Sequence, residues 1–267
     1  MRRALLGKKI IDAEVPEDPI VLSGLVPDVV KHALVGSTVT EVGRKGKFWW
    51  LELDSGQSLC GHLGMSGWIR EIGKEGGRLL EHGNQPLDDP DGRPKFLKLR
   101  IVAEDGAQIV FTDGRRLGRL WLAEDPALDT RIMKLGPDAL NDLPTAKGLA
   151  VLLAKRSAPI KALLLDQGLI SGIGNYLADE ILYMSRIAPK RAANSLSTKE
   201  IGALRRAMVE ILEVAVASEA DFARLPESWL VHHRWGGKRG TSQILGHAIV
   251  RETVGGRTTA WVPSKQR

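Results

Sequence analysis

The hydrophobic pattern changes period once along this chain, near Leu143, and that change limits the folds open to it. From Ile10 to Leu122 short apolar runs (IIDAEV, TVTEV, KFWWLEL, SLCGHLG, FLKLRIV, QIVFTD and GRLWL) are punctuated by Gly, Pro and Asp. FLKLRIV alternates with period two, and turn clusters such as Asp54-Ser55-Gly56 and Glu104-Asp105-Gly106 separate neighbouring runs, which predicts an antiparallel β-sandwich. After Leu143 the runs LAVLLAKR, IKALLLDQ, NYLADEILYMSRI and TKEIGALRRAMVEILEVAVASEA are helical in spacing. In the last, Ile201, Leu204, Met208 and Ile211 share one face, and Ser197 with Glu200 makes a capping-box pattern. The fold class is therefore α+β. The divisions are an N-terminal sandwich over 1–125, a Pro- and Asp-rich linker over 126–143, a helical domain over 144–228 and a hairpin over 229–267. In that last part Gly255-Gly256 sits between β-branched and apolar residues, as a two-residue hairpin turn requires. A lone hairpin is marginal in water, so it must pack on something or be held by a ligand.

Between Trp68 and Pro94 the sequence is polar, glycine-rich and without period, and it is read as an excursion from the sheet. Lysine and arginine number 38 against 32 aspartates and glutamates, and the pI is about 9.5, a balance that favours a polyanion such as nucleic acid. Charge alone also allows a ribosome- or RNA-associated protein. Cys60 is the single cysteine, which excludes an internal disulfide and any cysteine-rich zinc site, so the expected cofactor is none. There is no apolar run long enough for a membrane span and no signal-peptide core at MRRALLGKKI, which leads to an intracellular expectation with no membrane partner.

The stretch DQGLISGIGNYLADE, Asp166 to Glu180, carries the most specific signal. Its glycines interrupt a helical pattern and set a tight turn whose amides, with Asn175 at a helix start, suit a phosphate; a plain helix–helix turn has the same spacing. GIGNYLADEILY resembles the helix-two-turn-helix signature of the formamidopyrimidine-DNA glycosylase and endonuclease VIII superfamily. Five further segments resemble that family in the same order: GRKGKFWWLEL, HLGMSG at His62 to Gly67, TDGRRLG at Thr112 to Gly118, LGPDAL at Leu135 to Leu140, and IKALLLDQ. Together they cover nearly the whole chain.

The resemblance implies a monomeric base-excision-repair glycosylase and apurinic-site lyase acting on oxidised purines in damaged double-stranded DNA, in the nucleus of a eukaryote or the cytoplasm and nucleoid of a bacterium. Carried over position by position, it makes Met65, Arg115 and Leu117 the wedge that fills the duplex where a base is flipped out, a step that sacrifices a few kcal/mol of stacking and pairing. The family more often has an aromatic residue where Leu117 stands. Without the resemblance, ordinary core is the better reading of Met65 and Leu117. Lys47, His62, Lys161 and Asn175 become phosphate contacts. In the bacterial members the hairpin is a zinc finger, and its ligand positions fall here on Ser242, Leu245, Val262 and Lys265, none of which supplies a thiolate. A structural zinc site contributes roughly 10–16 kcal/mol, so packing by Ile244, Ile249, Trp261 and Val262 is expected to replace it. GGRTTAWVP resembles the zincless finger of plant and fungal members, with Arg257 as its DNA-contacting arginine.

The family's nucleophile is an N-terminal proline followed by a glutamate, and neither is present where Met1-Arg2-Arg3-Ala4 already resembles the first helix. One expectation is a true start upstream. The alternative is a catalytically inactive protein that binds damaged or abasic DNA. Lys47 is the candidate assisting amine.

Overall fold

The computed structural model describes residues 1–74, 88–219, 221–234 and 243–267. The chain divides into two compact units, Met1–Lys134 and Leu135–Arg267. Ser242 and most of the polar excursion, residues 75–87, lie outside the described residues.

In the first unit the described strands form two antiparallel four-stranded sheets. One orders β1 (Ile10–Glu14), β6 (Leu97–Ala103), β7 (Gln108–Thr112) and β5 (Trp68–Glu71); the other orders β2 (Val39–Lys45), β3 (Phe48–Leu53), β4 (Ser58–His62) and β8 (Arg119–Ala123). Alternation decides which side chains go inside: Leu97, Leu99 and Ile101 of β6 are buried, as are Leu51 and Leu53 of β3. Of these, Leu51, Leu53, Leu99 and Ile101 share one core with Leu5, Val30, Leu34, Leu59, Phe111 and Leu120. That cluster includes residues of α1 (Arg2–Leu5) and α2 (Pro27–Leu34). Periodicity does not reveal α2, because eight residues with Pro at the start give few turns of pattern. β5 is equally hidden in the sequence. All four of its residues are only partly buried, so no alternation marks it.

The second unit contains α4 (Ala146–Ala154), α5 (Ile160–Leu165), α6 (Asn175–Ser185), α7 (Thr198–Ala217) and α8 (Val231–Arg234), after the short α3 (Thr130–Met133) that ends the first. The Ser197–Glu200 capping box forms as its spacing requires, and Ile201, Leu204, Met208 and Ile211 are buried. The short strands β9 (Gln243–Ile244) and β10 (His247–Ala248) precede a hairpin of β11 (Val250–Val254) and β12 (Arg257–Trp261). Val254 pairs with Arg257 across Gly255 and Gly256, whose φ angles of 60° and 73° are both left-handed, as a two-residue turn of this twist demands. Leu230, Ile244, Ile249, Ala260 and Val262 make a small core here with Tyr183 against it. Trp261 is not part of that core; it is partly buried, and its indole N–H has no partner among the described residues.

The segment read as linker is partly structural. Leu135–Leu140 is stitched to the turn before α6: Gly136 N–H donates to the Gln167 carbonyl at 2.9 Å, Ser171 N–H to the Pro137 carbonyl at 2.9 Å, and Ala139 N–H to the Ser171 carbonyl at 2.9 Å. Its Pro and Asp content looks like spacer composition, but those backbone groups are satisfied by a partner segment distant in the sequence, which composition does not report.

Candidate nucleic-acid interface

In the first unit the loop after β4 (Leu63–Gly67) and the loop after β7 (Asp113–Gly118) are fastened together by one buried carboxylate. Asp113 accepts from Ser66 Oγ at 2.5 Å and Arg115 N–H at 3.2 Å through Oδ1, and from Gly118 N–H at 2.6 Å through Oδ2. Gly64 has φ 62°, and a Cβ there would stand 2.6 Å from the Leu117 carbonyl carbon and oxygen, so the backbones meet at a point where only glycine fits. With the backbone so held, Met65 is 55% and Leu117 38% exposed. Neither is core. Arg115 is exposed beside Leu117, whereas the next residue, Arg116, turns away and donates to Asp18 at 2.9 to 3.1 Å. Asp18 also holds Lys98 at 2.8 Å, and these two cations keep its carboxyl far below the ordinary range despite burial.

His62 ends β4 with its ring 4.8 Å from that of Phe48. Its Nδ1 accepts from Gly64 N–H at 3.0 Å, which assigns the proton of the neutral ring to Nε2 and leaves that group as a donor. Burial first, then the charges of Lys47 and Arg119, hold the imidazole below its usual value. Lys47 is exposed on the two-residue turn between β2 and β3.

In the second unit Gln167 braces the turn, its amide donating to the carbonyls of Leu165 at 3.0 Å and Ile173 at 3.1 Å while its oxygen accepts from Gly172 N–H at 3.0 Å. Asn175 opens α6, and its Nδ2 donates to the Thr258 carbonyl of β12 at 3.0 Å. An amide nitrogen carries two hydrogens, so one remains for a phosphate oxygen. Arg257, the residue before Thr258, is exposed at the hairpin turn.

The structure places Lys161 apart from these exposed donors. It is 0% exposed. Its ammonium pairs with the charge of Asp179, Oδ1 lying 2.6 Å away, and donates to Thr259 Oγ1 at 2.6 Å and to the Thr258 carbonyl at 3.0 Å. Arg234 completes the cluster, reaching Asp179 Oδ2 at 2.7 Å and the Thr258 carbonyl at 2.8 Å, and Ala260 N–H donates to the same Oδ2 at 3.0 Å. Burial pushes the Lys161 ammonium down and the Asp179 carboxyl up, each opposed by the charge of the other. Lys161 is thus a residue that fixes the hairpin on α5 and α6. Next to it Glu180, pushed up to about 8 by burial, accepts the N–H groups of Leu230 and Val231 at the start of α8.

Sequence reasoning misses Asp113, Asp179, Arg234 and Gln167. Asp179 carries a signal: it is an acid one helical turn after Asn175, in a stretch of α6 where Ala178, Ile181 and Leu182 are all buried. At the positions matching the zinc ligands, Leu245, Val262 and Lys265 offer no metal-binding donor set, and among the described residues no group of three His, Cys, Asp or Glu side chains converges. No helix among the described residues is long and apolar enough to cross a membrane.

A β-sandwich unit with two stapled loops and a helical unit with a braced turn and docked hairpin define a helix-two-turn-helix protein. The formamidopyrimidine-DNA glycosylase N-terminal domain matches residues 1–120, and the formamidopyrimidine-DNA glycosylase H2TH domain matches residues 135–226. A formamidopyrimidine-DNA glycosylase of Arabidopsis thaliana is 39% identical over 100% of this chain and 68% of its own length. One of Pelotomaculum thermopropionicum is 31% identical over 100% of this chain and 95% of its own. Among solved structures, the Lactococcus lactis formamidopyrimidine-DNA glycosylase bound non-covalently to DNA containing an AP site has a TM-score of 0.78 at 25% identity, covering 99% of this chain and 94% of that one. The chain belongs to the formamidopyrimidine-DNA glycosylase family.

Proposed function

We propose that this protein is a DNA glycosylase of base excision repair that acts, as a monomer, on duplex DNA carrying oxidised purines such as 8-oxoguanine and formamidopyrimidines, and then cleaves the strand as an apurinic-site lyase. The observation that carries this reading is the pair of loops fastened by Asp113, which hold Met65, Arg115 and Leu117 exposed on a rigid base. Turning a base out of the stack costs a few kcal/mol and leaves a hole and an unpaired partner. Met65 and Leu117 supply apolar volume for the hole, and Arg115 supplies a fork of N–H donors for the orphaned base. His62 Nε2, Lys47, Asn175 Nδ2 and Arg257 are the donors for phosphates, which give affinity without sequence preference.

In the chemistry this family membership implies, an amine attacks the sugar C1′, the bond from C1′ to the base breaks, and the resulting imine permits elimination of the strand. The proline and glutamate expected to carry that attack are not among these 267 residues. Lys47 is the amine the chain itself offers near His62, and we assign it an assisting role. The test is borohydride trapping on an 8-oxoguanine duplex, made with the chain as it stands, with a Met-Pro-Glu segment added ahead of it, and with Lys47→Gln in that extended form. Strong trapping by the extended protein, reduced but not abolished by Lys47→Gln, is expected. Absence of trapping from every version, with a persisting preference for abasic over intact duplex, would make the protein a damage-binding module instead. Equal binding of RNA and abasic duplex would defeat both.

A further inference from the structure

Phe96 fits neither the core nor the turn it occupies. It is a bulky residue at φ 57°, in the left-handed region where glycine or asparagine is at ease, and its side chain is 61% exposed. Strain and apolar exposure at one position are costs that concentrate at functional sites. The surrounding framework holds it there. The β6–β7 register shifts between Leu97 and Leu99, a bulge immediately after Phe96 that re-aims the chain. The Phe96 carbonyl accepts Asp113 N–H at 3.0 Å, and Asp18 clamps both Lys98 and Arg116, two residues beyond Phe96 and Gly114 respectively.

The ring is also placed. A Cβ on Gly114 would stand 3.2 to 3.4 Å from three ring atoms, so the bare backbone of Gly114 backs one side of the ring, one residue before Arg115. Met65, Leu117 and Arg115 are aliphatic or cationic, and Phe96 adds an exposed flat π-surface to this loop cluster. An exposed aromatic ring backed by the chain one residue before Arg115 suits the face of an unstacked nucleobase.

We propose that Phe96 is a further DNA-contacting residue, stacking on a base of the strand opposite the lesion. This rests on the reading of Arg115 as the donor to the orphaned base, which places the Gly114-Arg115 loop on that strand.

The experiment uses a duplex with an abasic-site analogue and 2-aminopurine opposite it, together with the intact duplex, and four variants: Phe96→Leu, Phe96→Tyr, Phe96→Asn and Arg115→Ala. Phe96→Leu and Phe96→Asn are expected to weaken lesion binding about tenfold, the scale of one lost base–aromatic stack, and to change the 2-aminopurine emission of the complex. Phe96→Tyr should retain both. Phe96→Asn should unfold at the wild-type temperature or higher, because asparagine accepts the left-handed backbone; a merely structural phenylalanine would lower it. Wild-type lesion binding and emission by Phe96→Leu, with Arg115→Ala losing its preference, would overturn the proposal and spare the wedge reading. Full lesion preference in Arg115→Ala would remove the wedge reading and the strand assignment with it.

Discussion

In the first unit Asp113 holds two loops through two backbone N–H groups and one hydroxyl, all neutral. In the second, Asp179 holds a hairpin through the buried cations Lys161 and Arg234 and one backbone N–H. The difference lies in what remains when the carboxylate is removed. Around Asp113 the orphaned donors are neutral and only one of them, Gly118 N–H, is buried, so the loss is local order. Around Asp179 two cations would stay buried without a counter-charge, so the loss is the docking of β12 itself. The first arrangement sets how two exposed loops are presented, and the second sets whether a hairpin is docked at all.

The comparison breaks most readily at Asp179. Asp179→Ala is expected to destabilise the second unit by about 3–5 kcal/mol, the cost of stranding buried charge. Denaturant unfolding measures it, and a loss below about 1 kcal/mol would show that the cluster does not hold the hairpin. Asp113→Ala should cost less, about 1.5–3 kcal/mol, while lesion preference falls out of proportion to stability. Thermal unfolding beside binding to abasic and intact duplex separates the two effects. A protein that lost stability and kept its preference would contradict the stapled-loop account.

A pH series sharpens the contrast, since Glu180 belongs to the buried network of the second unit only. Its carboxyl titrates at about 8 in the folded chain against an ordinary 4.5. Between those values the folded state holds a proton that the unfolded state has released, so stability falls as pH rises from about 4.5 through 8 and then levels. The raised Asp179 carboxyl adds to the low end of that slope. Glu180→Gln should flatten the upper part of the curve; an unchanged curve would mean that the two backbone N–H donors keep Glu180 ionised throughout. The smallest expected effect is that of Arg257→Ala, which on the proposed function removes one phosphate contact: the slope of log affinity against log salt should drop by about 0.9, equally on abasic and intact duplex.

Most of the fold is legible because it is written in local period. β6 alternates and is buried at alternate residues, and α7 keeps its face and its capping box. The Gly255-Gly256 turn is dictated by backbone sterics that the sequence states outright. The exposed loop residues are legible only through resemblance, because Met65 and Leu117 read singly as core. The enclosure of Lys161 is not legible in the sequence for a related reason. Its partners Asp179, Thr258 and Thr259 are remote in the sequence, and nothing in a local window says that a lysine will be enclosed. Asp113 is hidden similarly: its role is to gather N–H groups and a hydroxyl from two loops, and backbone donors leave no mark in a sequence. Phe96 escapes notice because an apolar residue entering FLKLRIV looks like the first residue of a strand, while its left-handed φ is tied to the bulge that follows.

On the proposed function, discrimination of damage resides in the loops fastened by Asp113, while the second unit contributes grip without discrimination. The most direct measurement is the ratio of affinities for an abasic-site duplex and the matching intact duplex, compared among the unmodified protein, Arg115→Ala and Arg257→Ala at one fixed salt concentration. The ratio should collapse towards one in Arg115→Ala and stay unchanged in Arg257→Ala, although the latter binds both duplexes more weakly. Equal ratios in the two variants would contradict the account.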